Sequence, residues 1–154
     1  MAAFIGDYNC KIDSKSRIML SSALMRQMPH DAQNKFVVKK DIYENCLILY
    51  PINEWERQNK IIRENTNPYN KEHNNFIRRF YKGTAEVILD SNNRLLLPKR
   101  LLELVGIENE VVLAGQDGKI EIWAKSNYEK IDKGEDDFPL LAEKIMGSIK
   151  QEKD

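Results

Sequence analysis

A chain of 154 residues that is 42% hydrophobic and 31% charged suits one compact domain or two very small ones. No apolar run nears the roughly 20 residues that span a bilayer, and Met1–Asp7 lacks the basic and apolar regions of a secretory signal, so a cytoplasmic protein with no membrane partner is expected. The formal net charge is zero, which excludes a generic polycation, yet Lys11, Lys15, Arg17 and Arg26 stand against Asp13 alone, leaving a local basic excess.

In chain order, a strand ahead of Asp13 and a strand after Arg17 flank a polar turn, and Ser21 or Ser22 caps a short helix that Pro29 stops. Lys35–Lys39 and Cys46–Tyr50 then form a hairpin. Asn53 to about Glu64 is helix-forming, and Asn65-Thr66-Asn67-Pro68 breaks it. A second helix over Asn70–Lys82 carries Phe76, Ile77, Phe80 and Tyr81 as a core stripe, with Arg78, Arg79 and Lys82 on a solvated face that is not expected to hold a site. Val87-Ile88-Leu89 and Leu95-Leu96-Leu97 flank a polar Asp-Ser-Asn-Asn segment with hairpin or loop chemistry. Pro98 suits the first position of the next helix and Gly106 its C-terminal cap. Glu110–Leu113 and Lys119–Trp123 form a last hairpin around Gly115-Gln116-Asp117-Gly118. An acidic linker at Glu135-Asp136-Asp137 leads into a weakly amphipathic helix carrying Leu141, Ile145 and Ile149.

The chain repeats itself. Asp13-Ser14-x-x-Arg17 returns as Asp90-Ser91-x-x-Arg94 at an offset of 90 − 13 = 77, and Gly6 and Gly83 share that offset. Phe36-Val37-Val38 corresponds to Val111-Val112-Leu113, Leu47–Tyr50 to Ile120–Trp123, and Trp55-Glu56 to Tyr128-Glu129. A module of roughly 60 residues is marginal alone, so the copies should pack on each other or on neighbouring chains. The expected organisation is a first module at 4–56, a helical connector at 57–82, a second module at 83–130, and a linker with a terminal helix at 131–154.

An Asp at a strand end accepts backbone N–H groups from the turn that follows, and an Arg four residues later can return to its carboxylate in a bidentate pair. Taken once, such a loop reads first as the brace of a turn; taken twice at matching positions it suggests a shared requirement, either that turn or the presentation of a guanidinium to guanine edges or phosphate. Lys15 beside Arg17 adds phosphate affinity, with Lys11 and Arg26 along the same rim. In the second copy Asn92 and Asn93 replace charge, so Asp90 and Arg94 form the weaker or structural copy. The cysteines, Cys10 and Cys46, and the histidines, His30 and His73, lack metal or catalytic spacing; buried free thiols and surface imidazoles are expected, with no metal, no cofactor and no enzyme activity.

Phe4-Ile5-Gly6-Asp7-Tyr8, the two Asp-Ser-x-x-Arg motifs, Leu47-Ile48-Leu49-Tyr50-Pro51 with Trp55, Leu95-Leu96-Leu97-Pro98 and Ile120-Glu121-Ile122-Trp123 together resemble the MraZ family over about residues 4–130. That resemblance implies an α+β, β-rich fold of two pseudo-symmetric SpoVT-AbrB-type modules with a small swapped-hairpin, β-barrel-like core and flanking helices. It also implies a ring-shaped homo-oligomer, and a nucleoid-associated repressor binding short direct repeats of double-stranded DNA upstream of its own division and cell-wall genes. The DNA-binding residues it points to are Arg17 above all, then Lys15, Asp13, Lys11, Arg94 and Asp90. The residue before Arg, usually Gly in the family, is Ser16 and Asn93 here, and Ser21 stands where the second copy has Pro98. The rival is a ring-forming interaction protein whose Asp-x-x-x-Arg loops only brace turns.

Overall fold

The computed structural model describes residues 2–30, 34–134 and 137–147. Eight short strands and six helices follow one another as β1 (Asp7–Lys11), β2 (Arg17–Met19), α1 (Ser22–Arg26), β3 (Lys35–Lys40), β4 (Leu47–Pro51), α2 (Ile52–Asn65), α3 (Lys71–Tyr81), β5 (Ala85–Ile88), β6 (Arg94–Leu96), α4 (Lys99–Leu104), β7 (Glu110–Gln116), β8 (Lys119–Ala124), α5 (Lys125–Tyr128) and α6 (Phe138–Met146), with a 3-10 turn at Ile131–Lys133. The fold is α+β and β-rich, as expected.

The hairpins β3–β4 and β7–β8 form where the paired apolar runs and the polar segments between them place them. The segments around the two Asp turns do something else. β5 does not fold back on β6; it pairs with β3 of the first copy, while β6 pairs with β2. β1 likewise crosses to β7. The result is a six-stranded antiparallel sheet in the order β1-β7-β8-β4-β3-β5 and a separate two-stranded ribbon, β2-β6. Read from the other end with the copies exchanged, the order is unchanged, so a pseudo-two-fold axis runs between β4 and β8 and through the ribbon. The register obeys it: Ile48 lies opposite Glu121, its own counterpart at 121 − 48 = 73, and Ile18 opposite Leu95, at 95 − 18 = 77.

The expected barrel does not close. The sheet ends at β1 and β5, because the Asp turn after each lifts the chain off the sheet and into the ribbon. The ribbon, α1 and α4 instead cover one face of the sheet. Phe36, Val38, Leu47, Leu49, Val111, Leu113, Ile120 and Ile122 pack there against Ile18, Leu95, Leu24 and Leu101 in one buried cluster. Residues in between point to the other face, where Cys46, Ile48, Tyr50, Val112 and Trp123 meet Trp55 and Tyr128.

The two helices between the copies close that second face. Trp55 of α2 stacks on Phe80 of α3 with centroids 6.0 Å apart, and the edge of Tyr81 meets the same indole at 5.6 Å. Only Phe80 of the expected α3 stripe is buried; Phe76 is exposed. Two buried charges brace the layer. Glu54 accepts from Arg57 Nε (2.9 Å) and Gln58 Nε2 (3.0 Å) and fills the space that Gly118 leaves at the β7–β8 turn. The Lys39 ammonium lies 4.1 Å from the Phe80 ring centre, and burial holds its pKa below the usual lysine value.

Ser21 caps α1, accepting from Leu24 N–H at 3.2 Å. Pro98 is one residue earlier than expected, at the N-cap of α4, and Gly106 follows that helix at φ 73°. Cys46 is buried, but Cys10 only half so. His73 is no free surface imidazole: its Nδ1 accepts from Asn67 N–H at 2.9 Å and ties α3 to the preceding loop. Helix α6 exposes Phe138, Leu140, Leu141, Ile145 and Met146. Glu135, Asp136 and Ile149, named above for the linker and the terminal helix, lie outside the described residues.

Candidate nucleic-acid interface

The two Asp-x-x-x-Arg segments fold into the same loop. Asp13 Oδ1 accepts the backbone N–H groups of Lys15 and Arg17, both at 2.9 Å, and Asp13 N–H donates to Arg17 O. Asp90 Oδ1 accepts from Asn92 (2.8 Å) and Arg94 (2.9 Å), and Asp90 N–H donates to Arg94 O. Closing so tight a turn requires a left-handed residue before the arginine, and Ser16 (φ 65°) and Asn93 (φ 60°) supply it.

Each arginine returns to its aspartate, but not as the bidentate pair. With Oδ1 taken up by the backbone, only Oδ2 is free, and Nε donates to it at 2.7 Å in Arg17 and 3.0 Å in Arg94. Among the described residues no hydrogen bond engages the terminal nitrogens of either guanidinium. The Asp therefore aims the Arg and leaves its outer donor edge open, the edge that suits guanine or phosphate. The backbone N–H of Arg17 is the first cause holding the Asp13 carboxyl below the ordinary value, with the Arg17 side chain adding to it against partial desolvation; Arg94 does the same for Asp90.

The ribbon decides where these groups point. Arg17 lies opposite Leu96, and Met19 opposite Arg94. Alternation therefore puts Arg17, Met19, Arg94 and Leu96 on the outer face, while Ile18 and Leu95, both fully buried, face the core. The two arginines are diagonal neighbours, about 7–8 Å apart across the strands. The turns stand at opposite ends of the ribbon, where Leu97 N–H bonds to Ser16 O and Leu20 N–H to Asn93 O.

The remaining candidates divide. Lys15 is exposed at the tip of the first loop. Lys11 is exposed on β1 but opposite Glu110, so its charge has an acidic neighbour. Arg26 is exposed on α1, and Arg100 donates to Gly83 O at 3.2 Å, in the turn that precedes β5. The joining of Arg17 and Arg94 on one face is the feature that sequence reasoning missed, since it follows from strand exchange.

Elsewhere, a cleft of about 290 Å³ between β1 and α5 holds Asp7 and Glu129, with Asp7 Oδ2 accepting from Tyr128 OH at 2.8 Å. Among the described residues no group of three or more His, Cys, Asp or Glu is placed to hold a metal ion, and no helix is long and apolar enough to cross a membrane.

The family model described as "MraZ protein, putative antitoxin-like" matches residues 3–76 and again 80–144. A protein of Christiangramia forsetii named "Transcriptional regulator MraZ" is 44% identical over 96% of both chains. One of the same name from Flavobacterium psychrophilum is 39% identical over 97% of this chain and 95% of its own length. A third, from Clostridium beijerinckii, is 36% identical over 92% and 96%.

Proposed function

The chain belongs to the MraZ family, and from that premise we propose that it is a sequence-specific DNA-binding transcriptional regulator, acting in the cytoplasm at the nucleoid as a repressor of its own gene cluster. The observation that carries this reading is the shared outward face of Arg17 and Arg94, each aimed by an aspartate that leaves its terminal donors open. A two-stranded ribbon fits a major groove, where arginine donors recognise guanine edges. Arg17, Lys15 and Asp13 form the principal contact because the first loop carries the surplus charge. Arg94 and Asp90 form the auxiliary one, and Lys11 adds at most a phosphate contact at the rim. Relatives named as transcriptional regulators support DNA as the partner.

The modules at 4–56 and 83–130 then act as one reading head per subunit. A ring of such subunits meets short direct repeats about 10 base pairs apart, so that weak single contacts add up. The test is binding of the full-length protein to the DNA upstream of its own gene across several salt concentrations. Affinity should fall steeply with salt, and Arg17→Ala should cost about 10-fold or more in specific binding with assembly unchanged by sedimentation. Unchanged operator binding by Arg17→Ala, or loss of folding, would instead favour loops that only brace turns.

A further inference from the structure

The outer face of the β2-β6 ribbon holds more than its arginines. Met19 is 58% exposed and Leu96 59% exposed, each directly opposite an arginine, on strands whose inward residues Ile18 and Leu95 are fully buried. The four outer side chains thus form a small quartet with arginines on one diagonal and apolar groups on the other. The pseudo-two-fold axis relates Met19 to Leu96, since 96 − 19 = 77, so an apolar residue stands on the outer face in both copies. Serine or threonine would suit a merely solvated strand there.

We propose that Met19 and Leu96 contact the C5-methyl groups of thymines in the major groove, alongside the arginine contacts. This rests on the DNA-binding reading above and adds to it a second kind of base readout. The thymine methyl is the one apolar group on the major-groove edge of a base pair, and it is read by apolar side chains. A β-ribbon lying in that groove brings its outer face within reach of the base edges. The flanking charge selects DNA over a second copy of the chain. A two-fold contact of this face with itself would desolvate both Arg–Asp pairs and bury the open terminal donors of Arg17 and Arg94 against a face whose other outer residues, Met19 and Leu96, offer them no acceptor. A duplex instead surrounds both guanidiniums with phosphates and acceptor edges.

The test uses duplexes from upstream of the gene in which each thymine in turn is replaced by deoxyuridine, which lacks only the methyl. Binding is read by fluorescence anisotropy at one salt concentration. For the unaltered full-length protein, uracil at one or more positions should weaken binding about fourfold, the worth of one buried methyl. Met19→Ser or Leu96→Ser should weaken binding to the native duplex by a similar factor and abolish sensitivity to uracil at the matching position. Insensitivity of the unaltered protein to every uracil overturns the proposal, and that result requires no variant to fold. Retained uracil sensitivity in both variants overturns it too, as does a change of oligomeric state in either, which would assign the face to self-contact. If a serine variant melts early, the alanine variants at the same positions replace it. Failure of the unaltered protein to bind the duplex at any salt is a separate result, and it removes the DNA-binding reading itself.

Discussion

In the first copy Ile18 reaches into the core from between Arg17 and Met19; in the second, Leu95 does so from between Arg94 and Leu96, and the two oppose each other across the ribbon. The surroundings of the two loops are not matched in this way. Lys15 corresponds to Asn92, Ser16 to Asn93, Ser21 to Pro98, and Lys11 of one edge strand to the exposed Ile88 of the other. Inside, each copy supplies half of a packing arrangement that the other completes, so a change in one must be absorbed by its mate. Outside, among the described residues no side-chain hydrogen bond or ion pair joins the two loops, and their charges have diverged.

The largest effect should therefore be the most symmetric. Ile18→Ala and Leu95→Ala each empty a fully buried site near the pseudo-axis, and each should cost about 2–5 kcal/mol of stability by denaturant unfolding. Because the residues touch across the ribbon, the double variant should depart from the sum of the singles by at least about 0.5 kcal/mol. A large loss for one and almost none for the other would mean that the copies are not packed as equals.

A smaller effect should separate the copies. Ser16 holds φ 65° with an ordinary side chain, a conformation that costs an L-residue about 1–2 kcal/mol, whereas asparagine tolerates it. Glycine removes that cost but loses about 0.5–1 kcal/mol through its freer unfolded chain. Ser16→Gly should gain about 0.5–1 kcal/mol in unfolding experiments. Asn93→Gly, which has little strain to remove, should give no gain and lose up to about 0.5–1 kcal/mol. Equal gains at both positions would contradict this distinction.

The parts of the molecule differed in how far residue order alone reveals them. The turn chemistry of Asp13 and Asp90 is local, carried within five residues of chain, and the duplication shows as the same residues returning in the same order; both are legible. The exchange of β1, β2, β5 and β6 between copies is not. Alternation of apolar residues tells which side of a strand is buried but not which strand lies beside it, and Val87–Leu89 with Leu95–Leu97 reads equally well as a hairpin. The candidate interface was thus visible as two separate loops, and only strand exchange makes it one face. Glu54 and Lys39 were missed because a charged residue is ordinarily solvated. The spacing of Arg57 three residues after Glu54 was the available hint for the first; Lys39 depends on Phe80, about forty residues away, and left no such trace.

The finest comparison is between the two aspartates in acid. Asp13 and Asp90 receive the same donors, two backbone N–H groups on Oδ1 and one arginine Nε on Oδ2, and both carboxyls are held below the ordinary value. A carboxylate with a lowered folded pKa contributes stability above its unfolded pKa, near 3.9, and loses that contribution as pH falls through the folded value. Between pH 5 and 8 neither loop should therefore change, and any pH dependence of DNA binding in that window must come from other groups. Carboxyl carbon shifts followed by NMR should titrate below about 3.9 for both residues, and removing the guanidinium by Arg17→Ala should raise the Asp13 midpoint while leaving that of Asp90 in place. Because the backbone N–H groups are the first cause of the shift and survive that substitution, the rise should be partial. A full return to the ordinary value would mean that the arginine, and not the turn, holds the carboxylate, and the two loops would then be salt bridges first and turns second.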